Sequence, residues 1–383
     1  MQFRFAVLAL AAAALGACDS AADLTNTEAP LEDSRRAGPE GRPDEVRGGR
    51  AVYTLTNRPA GNEVAVFAPD ANGRLAAAGR FATGGTGTGA GLGSQGGVVL
   101  SNDGERLFAV NAGSNDVSVF AVRTDGLTLL SRTPSGGTRP ISVTVHGRLL
   151  YVLNAGGEGN ISGFRLLADG QLEPIAGSAR SLSGTATNPA QVAFSPDGRR
   201  LVVTEKATNL IDVYPVDDRG IAGTRASFPS AGGTPFGFAF GRPGELVVSE
   251  AAAPGSASLY DLDRGGDLAV ASAAVPTRQG APCWVVITRD GRFAYTGNGA
   301  GSVTGFAVGR RGAIRLLNAD GATAVFDNGV NDIALSGNSH YLYALSVGDV
   351  PAVHAFRVGQ DGQLEPLGAA GGLPAGTAGL TAR

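Results

Sequence analysis

The sequence is poor in the residues from which disulfide frameworks and metal sites are built. Its 2 cysteines exclude a scaffold of several disulfide bonds. Its 3 histidines are isolated from one another, and Cys283 has no second ligand at a spacing typical of zinc. We therefore expect neither a metal ion nor a cofactor, and stability must come from apolar packing.

Strong charge of one sign and long hydrophobic runs are also missing. The formal net charge is −3 and both signs are scattered along the chain, whereas nucleic-acid binding needs a basic face. The apolar run at residues 6–15 is shorter than the about 20 apolar residues of a transmembrane helix. We expect a monomer that has no nucleic-acid partner.

The N-terminal 50 residues predict export followed by anchoring. Residues 1–17 have the charged start and the short apolar centre of a signal peptide. Residues 15–18, Leu-Gly-Ala-Cys, resemble the bacterial lipobox, in which the cysteine is lipidated and becomes the mature N-terminus. Residues 18–50 are polar and broken by prolines, which is typical of a disordered tether. We expect a lipoprotein of the cell envelope, periplasmic or surface-exposed, that contacts the membrane only through Cys18. The alternative is an ordinary signal peptide with a cysteine nearby by chance.

Residues 188–220 are the template of a repeat. Two short β-rich runs flank Asp197-Gly198, and Asp-Gly favours a two-residue hairpin turn in which both central positions need a positive φ. A third run, residues 210–216, precedes a second turn at Arg219-Gly220 and a fourth strand. Four strands in about 40–50 residues are typical of one blade of a β-propeller.

The turns of this template recur along the whole chain. The first turn recurs at Asp103-Gly104, His146-Gly147, Pro243-Gly244, Asp290-Gly291 and Asn338-Ser339. The second turn recurs at Asn72-Gly73, Asp125-Gly126, Asp169-Gly170, Gly265-Gly266, Arg311-Gly312 and Asp361-Gly362. The first unit lacks a first turn and so lacks its innermost strand, which the strand-like residues 376–381 can supply. The sequence thus predicts an all-β fold over residues 51–383: a seven-bladed β-propeller with four antiparallel strands per blade, closed by the C-terminal strand.

A glycine-rich stretch, residues 84–97, connects the first two units. Gly91, Gly93 and Gly96 match the dinucleotide-binding pattern, but a strand follows them instead of a helix whose N-terminus could hold a pyrophosphate. We interpret the stretch as a flexible connection between blades.

One end of the propeller is the predicted site. The two turns of each blade lie at one end, so the exits of the second strands and the entries to the first strands lie at the other, here called the mouth end. The exit residue is Asn in four blades, but it is Glu205 in blade 4 and Glu250 in blade 5, and Lys206 follows Glu205. Two carboxylates beside a cation can support acid–base chemistry. Solvated rim charges or loop caps are the alternative.

The strand entries supply the predicted ligand contacts. Trp284 is the only tryptophan, and at a channel mouth it either stacks on a sugar ring or plugs the channel. Phe236 and Cys283 accompany it, and Cys283 fits a small buried hydrophobe better than a nucleophile. The remaining candidates for this end are Gln191, Asn298, Asp332 and Arg139.

Several motifs carry a family resemblance. They are Ser-Pro-Asp-Gly at residues 195–198, Leu-Leu-Tyr-Val-Leu-Asn at 149–154 and Leu-Pro-Ala-Gly at 373–376. They resemble the seven-bladed propeller lactonase family, which includes 6-phosphogluconolactonases, and the related YVTN-type repeats; residues 203–206, 234–238 and 281–284 resemble an uncharacterised exported branch. The family's Pro-His pair at a strand entry is missing here, so its histidine cannot be carried over. Glu205, Glu250, Lys206 and Arg139 remain as candidate catalytic residues of the right type.

Two functions from different classes follow. One is non-catalytic binding of a small molecule, a glycan, a peptide or a protein partner at the channel mouth. The other, implied by the resemblance, is lactone hydrolysis by a carboxylic-ester hydrolase in which Glu205 or Glu250 activates water and Lys206 or Arg139 stabilises the oxyanion. The predicted export argues against 6-phosphogluconolactone as substrate, because that intermediate is cytoplasmic.

The predicted anchor is tested by the substitution Cys18→Ala. We expect the variant to leave the membrane fraction or to keep its signal peptide, because the change removes the only cysteine beside the signal peptide. Cell fractionation and the mass of the N-terminal peptide measure the outcome. Wild-type protein recovered entirely in the soluble fraction would show that Cys18 is incidental.

Overall fold

The computed structural model describes residues 50–310 and 312–383. The predicted signal peptide, Cys18 and nearly all of the predicted tether fall within residues 1–49, outside the described part. The described residues form thirty strands in seven sheets and no helix. Accordingly, they include no helix long and apolar enough to cross a membrane. The prediction of a seven-bladed β-propeller is confirmed.

The strands follow one another blade by blade. Blade 1 contains β1 (Val52–Leu55), β2 (Glu63–Pro69), β3 (Leu75–Ala82) and the C-terminal β30 (Ala378–Ala382). Blade 2 contains β4 (Val98–Leu100), β5 (Arg106–Asn111), β6 (Asp116–Arg123) and β7 (Gly126–Pro134). Blade 3 contains β8 (Pro140–His146), β9 (Leu149–Asn154), β10 (Asn160–Leu166), β11 (Leu172–Pro174) and the short β12 (Arg180–Ser181). Blade 4 contains β13 (Pro189–Phe194), β14 (Arg200–Glu205), β15 (Leu210–Pro215) and β16 (Ala226–Pro229).

The last three blades complete the ring. Blade 5 contains β17 (Pro235–Phe240), β18 (Glu245–Glu250), β19 (Ser256–Leu262) and β20 (Leu268–Pro276). Blade 6 contains β21 (Pro282–Ile287), β22 (Phe293–Asn298), β23 (Ser302–Val308), β24 (Ile314–Leu316) and the short β25 (Ala324–Val325). Blade 7 contains β26 (Val330–Leu335), β27 (Tyr341–Ser346), β28 (Ala352–Val358) and β29 (Leu364–Ala370).

The core lies between the blades. The second strands read as near-continuous apolar runs, such as Leu-Leu-Tyr-Val-Leu-Asn in β9, and all but the first of these residues are buried. A strand that packs against a neighbouring blade on each face needs no polar side, so apolar and polar residues do not alternate along it. The outermost strands, such as β20, are mostly exposed or half-buried. The first strands of successive blades pack against one another around the axis.

Five of the six first turns are longer than the predicted two-residue turn; the exception is residues 147–148, between β8 and β9. Residues 195–199 join β13 to β14, and of the predicted pair only Gly198 has a positive φ, of 71°. The Ser195 hydroxyl donates to Asp197 Oδ1 at 2.6 Å, and the same oxygen accepts from the Arg199 backbone at 3.0 Å. A serine two residues before the aspartate therefore closes a wider loop and makes a second left-handed residue unnecessary.

The ring is closed as predicted. Strand β30 pairs antiparallel with β1, with Thr54 opposite Leu380 and Val52 opposite Ala382. On the blade 7 side, Oδ2 of Asp332 accepts from the Leu380 backbone at 2.8 Å. The Asn331 side chain donates to the Thr377 carbonyl at 2.9 Å. The last strand therefore completes the sheet of blade 1 and fastens it to blade 7.

Deleting residues 375–383 should lower the melting temperature by more than about 10 °C. The deletion removes a whole inner strand and exposes the edge of β1, and each lost kcal/mol lowers Tm by about 2–4 °C in larger domains. Differential scanning calorimetry measures the change, and Arg383→Ala, which keeps the strand, is the matched control. A truncated protein that melts with the wild type would contradict closure by β30.

Candidate functional site

A polar pair, buried in all but the half-buried His354, lies at the mouth end of blades 2 to 7. It joins the exit residue of the second strand to a residue of the third strand. The pairs are Asn111 with Ser118, Asn154 with Ser162, Glu205 with Asp212, Glu250 with Ser258, Asn298 with Thr304 and Ser346 with His354. In blade 2 the pair also holds the loop that enters the blade: Thr83 donates its hydroxyl to Asn111 and accepts from Ser118 at its carbonyl. The pair thus fixes the entry loop.

Glu250 occupies this position in blade 5 and is completely buried. Its two oxygens accept hydrogen bonds from five donors, namely the hydroxyls of Ser230, Ser256, Ser258 and Tyr260 and the backbone N–H of Gly232. Ser230 and Gly232 belong to the loop that enters blade 5. So many donors compensate for the loss of hydration of a buried carboxylate.

Glu205 occupies the same position in blade 4 and is also completely buried. It accepts from the backbone of Ser183 at 2.8 Å, from the Ser183 hydroxyl and from the Thr208 hydroxyl at 2.6 Å. Its partner on the third strand is the carboxyl of Asp212. Both predicted carboxylates therefore lie inside their blades, where their contacts are those of a loop cap, one of the alternatives that the sequence leaves open.

The Glu205–Asp212 pair brings two acids together in the interior. Burial raises the pKa of Asp212 to about 7, and the Glu205 carboxylate adds to this increase. The Ser227 hydroxyl lies 2.6 Å from Oδ1 of Asp212 and the Arg225 guanidinium 3.4 Å from its Oδ2, and both lower the pKa of Asp212. Two adjacent carboxyl groups share a proton more readily than both ionise.

Residues 91–97, here called the plug, lie across the central channel. The Gln95 side chain exchanges two hydrogen bonds with the Val285 backbone in blade 6, at 2.7 and 2.9 Å. The Gln95 backbone donates to Ala190 of blade 4, and the Ser94 hydroxyl donates to Ile141 of blade 3. A segment bonded to the innermost strands of three blades must cross the axis. Residues 84–97 do connect blades 1 and 2, but hydrogen bonds hold residues 91–97 against three other blades, which the interpretation as a flexible connection did not foresee.

The plug brings three of the predicted site residues together. The indole N–H of Trp284 donates to the Ser94 carbonyl at 2.9 Å, and the Lys206 ammonium donates to the Gly93 carbonyl at 2.7 Å. The Phe236 ring meets Trp284 edge-on, with centroids 5.4 Å apart, and Lys206 Nζ lies 4.7 Å from the centre of the Phe236 ring. All three side chains are buried, so in this structure Trp284 packs against the plug.

The remaining candidates are dispersed. Gln191 is buried and exchanges two hydrogen bonds with the Phe238 backbone of blade 5, which joins blades 4 and 5. Asp332 joins blades 7 and 1, and burial raises its pKa well above the usual value although two backbone N–H groups oppose this. Asn298 is buried in the polar pair of blade 6. Cys283 is completely buried and is not a free thiol. Arg139 is exposed at the entry to blade 3.

Ser94 and Gln95 are the site residues that sequence reasoning missed. One signal was present: the step from Phe67 to Phe120 is the longest between the aromatic residues that end successive third strands. The plug lies within that step. Glycine in β17 makes room for the plug, because a Cβ at Gly237 would collide with Oε1 of Gln95.

The acid pair predicts an unusual dependence of stability on pH. Because the folded state raises the pKa of Asp212, it holds that proton more tightly than the unfolded chain does, and this stabilisation is lost as pH rises from about 4 to about 7. We expect Asp212→Asn to gain about 2–3 kcal/mol relative to the wild type between pH 5 and pH 8.

Urea unfolding at the two pH values measures this gain. The control is Asp197→Asn in an exposed turn, where the Ser195 hydroxyl lowers the pKa and the dependence has the opposite sign. Parallel stability curves for Asp212→Asn and the wild type would contradict the acid pair.

Comparisons with known proteins bear on the family. Residues 48–180, which span the first three blades, match the family model described as "Lactonase, 7-bladed beta-propeller". No curated protein sequence matches the chain.

Solved structures share the fold. A proposed 6-phosphogluconolactonase from Bacteroides fragilis is 18% identical, with a TM-score of 0.71 over 89% of this chain and 100% of that one. The periplasmic gluconolactonase of Pseudomonas aeruginosa is 17% identical, with a TM-score of 0.69 over 86% of this chain and 99% of that one. A protein from Lactobacillus plantarum is 16% identical, with a TM-score of 0.71 over 88% and 99%. At these identities the likeness is one of fold. Together, the match of the first three blades to the family model and the seven-bladed ring confirm the resemblance to the propeller lactonase family that the repeats predict.

Proposed function

We propose that this protein binds a sugar lactone, or a similar oxygen-rich small molecule, at the mouth end of its channel. The observation that carries the proposal is the convergence of two buried side-chain donors, Lys206 and Trp284, on two adjacent backbone carbonyls of the plug. In this proposal the plug moves aside, and oxygen atoms of the ligand take the positions that the carbonyl oxygens of Gly93 and Ser94 occupy in this structure.

The surroundings of these donors suit such a ligand. Phe236 and the ring of Trp284 supply an apolar wall, on which the C–H face of a sugar ring packs well. The ammonium of Lys206 and the indole N–H supply the few placed polar groups that orient a small ligand in an apolar site. The carbonyl, ring oxygen and hydroxyls of a lactone are all acceptors for these donors.

The composition of the plug favours an exchange with a ligand. Gly93 and Gly96 of the plug, and Gly89 just before it, adopt a positive φ, of 63°, 83° and 76°, so the segment bends at residues that have no side-chain barrier. Displacing the plug breaks hydrogen bonds that the ligand then replaces. The net free energy of the exchange is the small difference between the hydrogen bonds of the plug and those of the ligand.

The proposal is for binding instead of hydrolysis by the predicted carboxylates. A general base must reach a water molecule beside the substrate. Glu205 and Glu250 are completely buried, and the donors that surround them belong to their own blades and to the loops that enter those blades. The name of the Pseudomonas aeruginosa neighbour, a gluconolactonase, supports lactones as the first compounds to test.

The fluorescence of Trp284 tests the proposal directly, because the chain has no other tryptophan. Titration with glucono-1,5-lactone and galactono-1,4-lactone should shift the emission to longer wavelength as the indole loses Ser94 and becomes partly hydrated. Gln95→Ala should tighten apparent binding about 3–10-fold, because removal of two hydrogen bonds weakens the competing plug. Lys206→Met should weaken binding at least about 10-fold.

The control is Thr144→Val, which removes a hydrogen bond between blades 3 and 4 without touching the plug. Its affinity should equal that of the wild type. Calorimetric titration gives the same affinities independently of the fluorescence. An emission spectrum that no lactone, aldonate or monosaccharide changes, in the wild type and in Gln95→Ala alike, would overturn the proposal.

A further inference from the structure

Blade 7 departs chemically from the polar pair of the other blades. Its exit residue is Ser346 and its third-strand residue is His354, and Oγ of Ser346 lies 3.0 Å from Nε2 of His354. In the other blades these two positions hold amides, carboxylates and hydroxyls that serve as hydrogen-bond anchors. A hydroxyl bonded to an imidazole is instead the arrangement of a nucleophile and its general base.

The pair in blade 7 is also not used as a loop anchor. In blade 3, Asn154 and Ser162 both donate to the Ser135 carbonyl of the entry loop. Among the described residues, the only other hydrogen-bond partner of the two side chains is the Ala352 carbonyl, at 3.3 Å from Ser346 Oγ, and Ala352 lies within blade 7. In blades 2 to 5 the pair bonds the entry loop directly, and in blade 6 Ser302 links Asn298 to Gln279 of that loop. No such link is found for the pair of blade 7 among the described residues.

The surroundings of His354 suit a base. The Phe326 ring meets the imidazole edge-on, with centroids 4.8 Å apart, and fixes its orientation. Burial lowers the pKa of His354, so the ring is neutral at pH 7, and the Asp327 carboxylate opposes this shift and stabilises the imidazolium once it forms. With the proton on Nδ1, Nε2 accepts from Ser346, as a general base requires.

We propose that Ser346 and His354 form a second, hydrolytic site for small carboxylic esters and lactones. Oγ of Ser346 attacks the carbonyl carbon while its proton passes to Nε2 of His354. The bond to the leaving oxygen breaks, and that oxygen takes the proton from His354, which leaves an acyl ester on Ser346. Water then gives a proton to His354 and its oxygen to the acyl carbon, and Ser346 leaves with the proton. A lactone would yield its open hydroxy acid.

The location limits the size of the substrate. Ser346 is 3% exposed and His354 is half-buried, so the imidazole forms the more open side of the pair. Val350, in the loop after Ser346, and Val325, which precedes Phe326 in the chain, are both strongly exposed. This site does not depend on displacement of the plug, so it is independent of binding at the channel.

Covalent labelling of the full chain tests the site. A fluorophosphonate probe followed by peptide mass spectrometry should place the adduct on Ser346 in the wild type. The labelling rate should rise with pH and reach half its maximum below pH 6.5, because the neutral form of His354 is the base. His354→Gln should slow labelling at least about 100-fold, the usual contribution of a general base.

Hydrolysis of p-nitrophenyl acetate should fall by a similar factor in Ser346→Ala. The matched control is Ser162→Ala, which alters the equivalent pair of blade 3 and should leave labelling and hydrolysis unchanged. If Ser346→Ala fails to fold, the wild-type adduct and the effect of His354→Gln still decide the question. No adduct on Ser346, or an adduct whose rate is the same in His354→Gln, would overturn the site, and neither result bears on lactone binding beside Trp284.

Discussion

The pairing of β30 with β1 is the interaction on which the rest of the structure depends. Each blade buries its two faces against its neighbours, so no blade has a complete core of its own. An open ring would leave β1 as an unpaired edge and expose the sides of blades 1 and 7. Closure joins chain segments more than three hundred residues apart, and Asp332 reinforces it with a buried carboxyl that accepts from the Leu380 backbone.

The entry loops depend on a second constraint, the need to satisfy polar groups buried at the mouth end. One position on the second strand meets this need in several ways. Asn111 and Asn154 do so with amides, and Glu250 does so with a carboxylate surrounded by five donors. What the position requires is hydrogen-bonding capacity, so a change from Asn to Glu does not by itself mark an active site. The informative departures are pairs whose members change each other's chemistry. Asp212 beside Glu205 is such a pair, and we propose the same of His354 beside Ser346.

The plug gives the channel mouth its present form. It supplies backbone carbonyls to Lys206 and Trp284 and fills the space above the innermost strands. The channel is thus closed by a segment of the chain itself that is held by hydrogen bonds and bends at glycines. A ligand that presents acceptor oxygens to the same donors would compete with the plug, which couples recognition to movement of residues 91–97.

The sequence by itself determined the repeat and the fold. Turn residues at regular spacing, aromatic residues at the ends of the third strands and apolar second strands specify seven similar units, and the missing innermost strand of the first unit specifies closure. These features are local or periodic, so they can be recognised from the sequence without knowledge of distant contacts. The serine before the turn at Asp197-Gly198 is local as well, but the prediction of a two-residue turn left out the hydrogen bond of its hydroxyl with Asp197.

Only the tertiary structure decided which residues meet at the mouth end. The repeat places Glu205 and Glu250 at the ends of strands, but whether their carboxyl groups turn into the channel or back into the blades depends on donors such as Ser183 and Gly232, which lie in separate loops. The path of residues 91–97 across the axis depends on partners in blades 3, 4 and 6 that no periodicity connects with them. In such contacts a side chain bonds the backbone of a residue far away in the sequence. Only folding of the whole ring brings the two within hydrogen-bond distance.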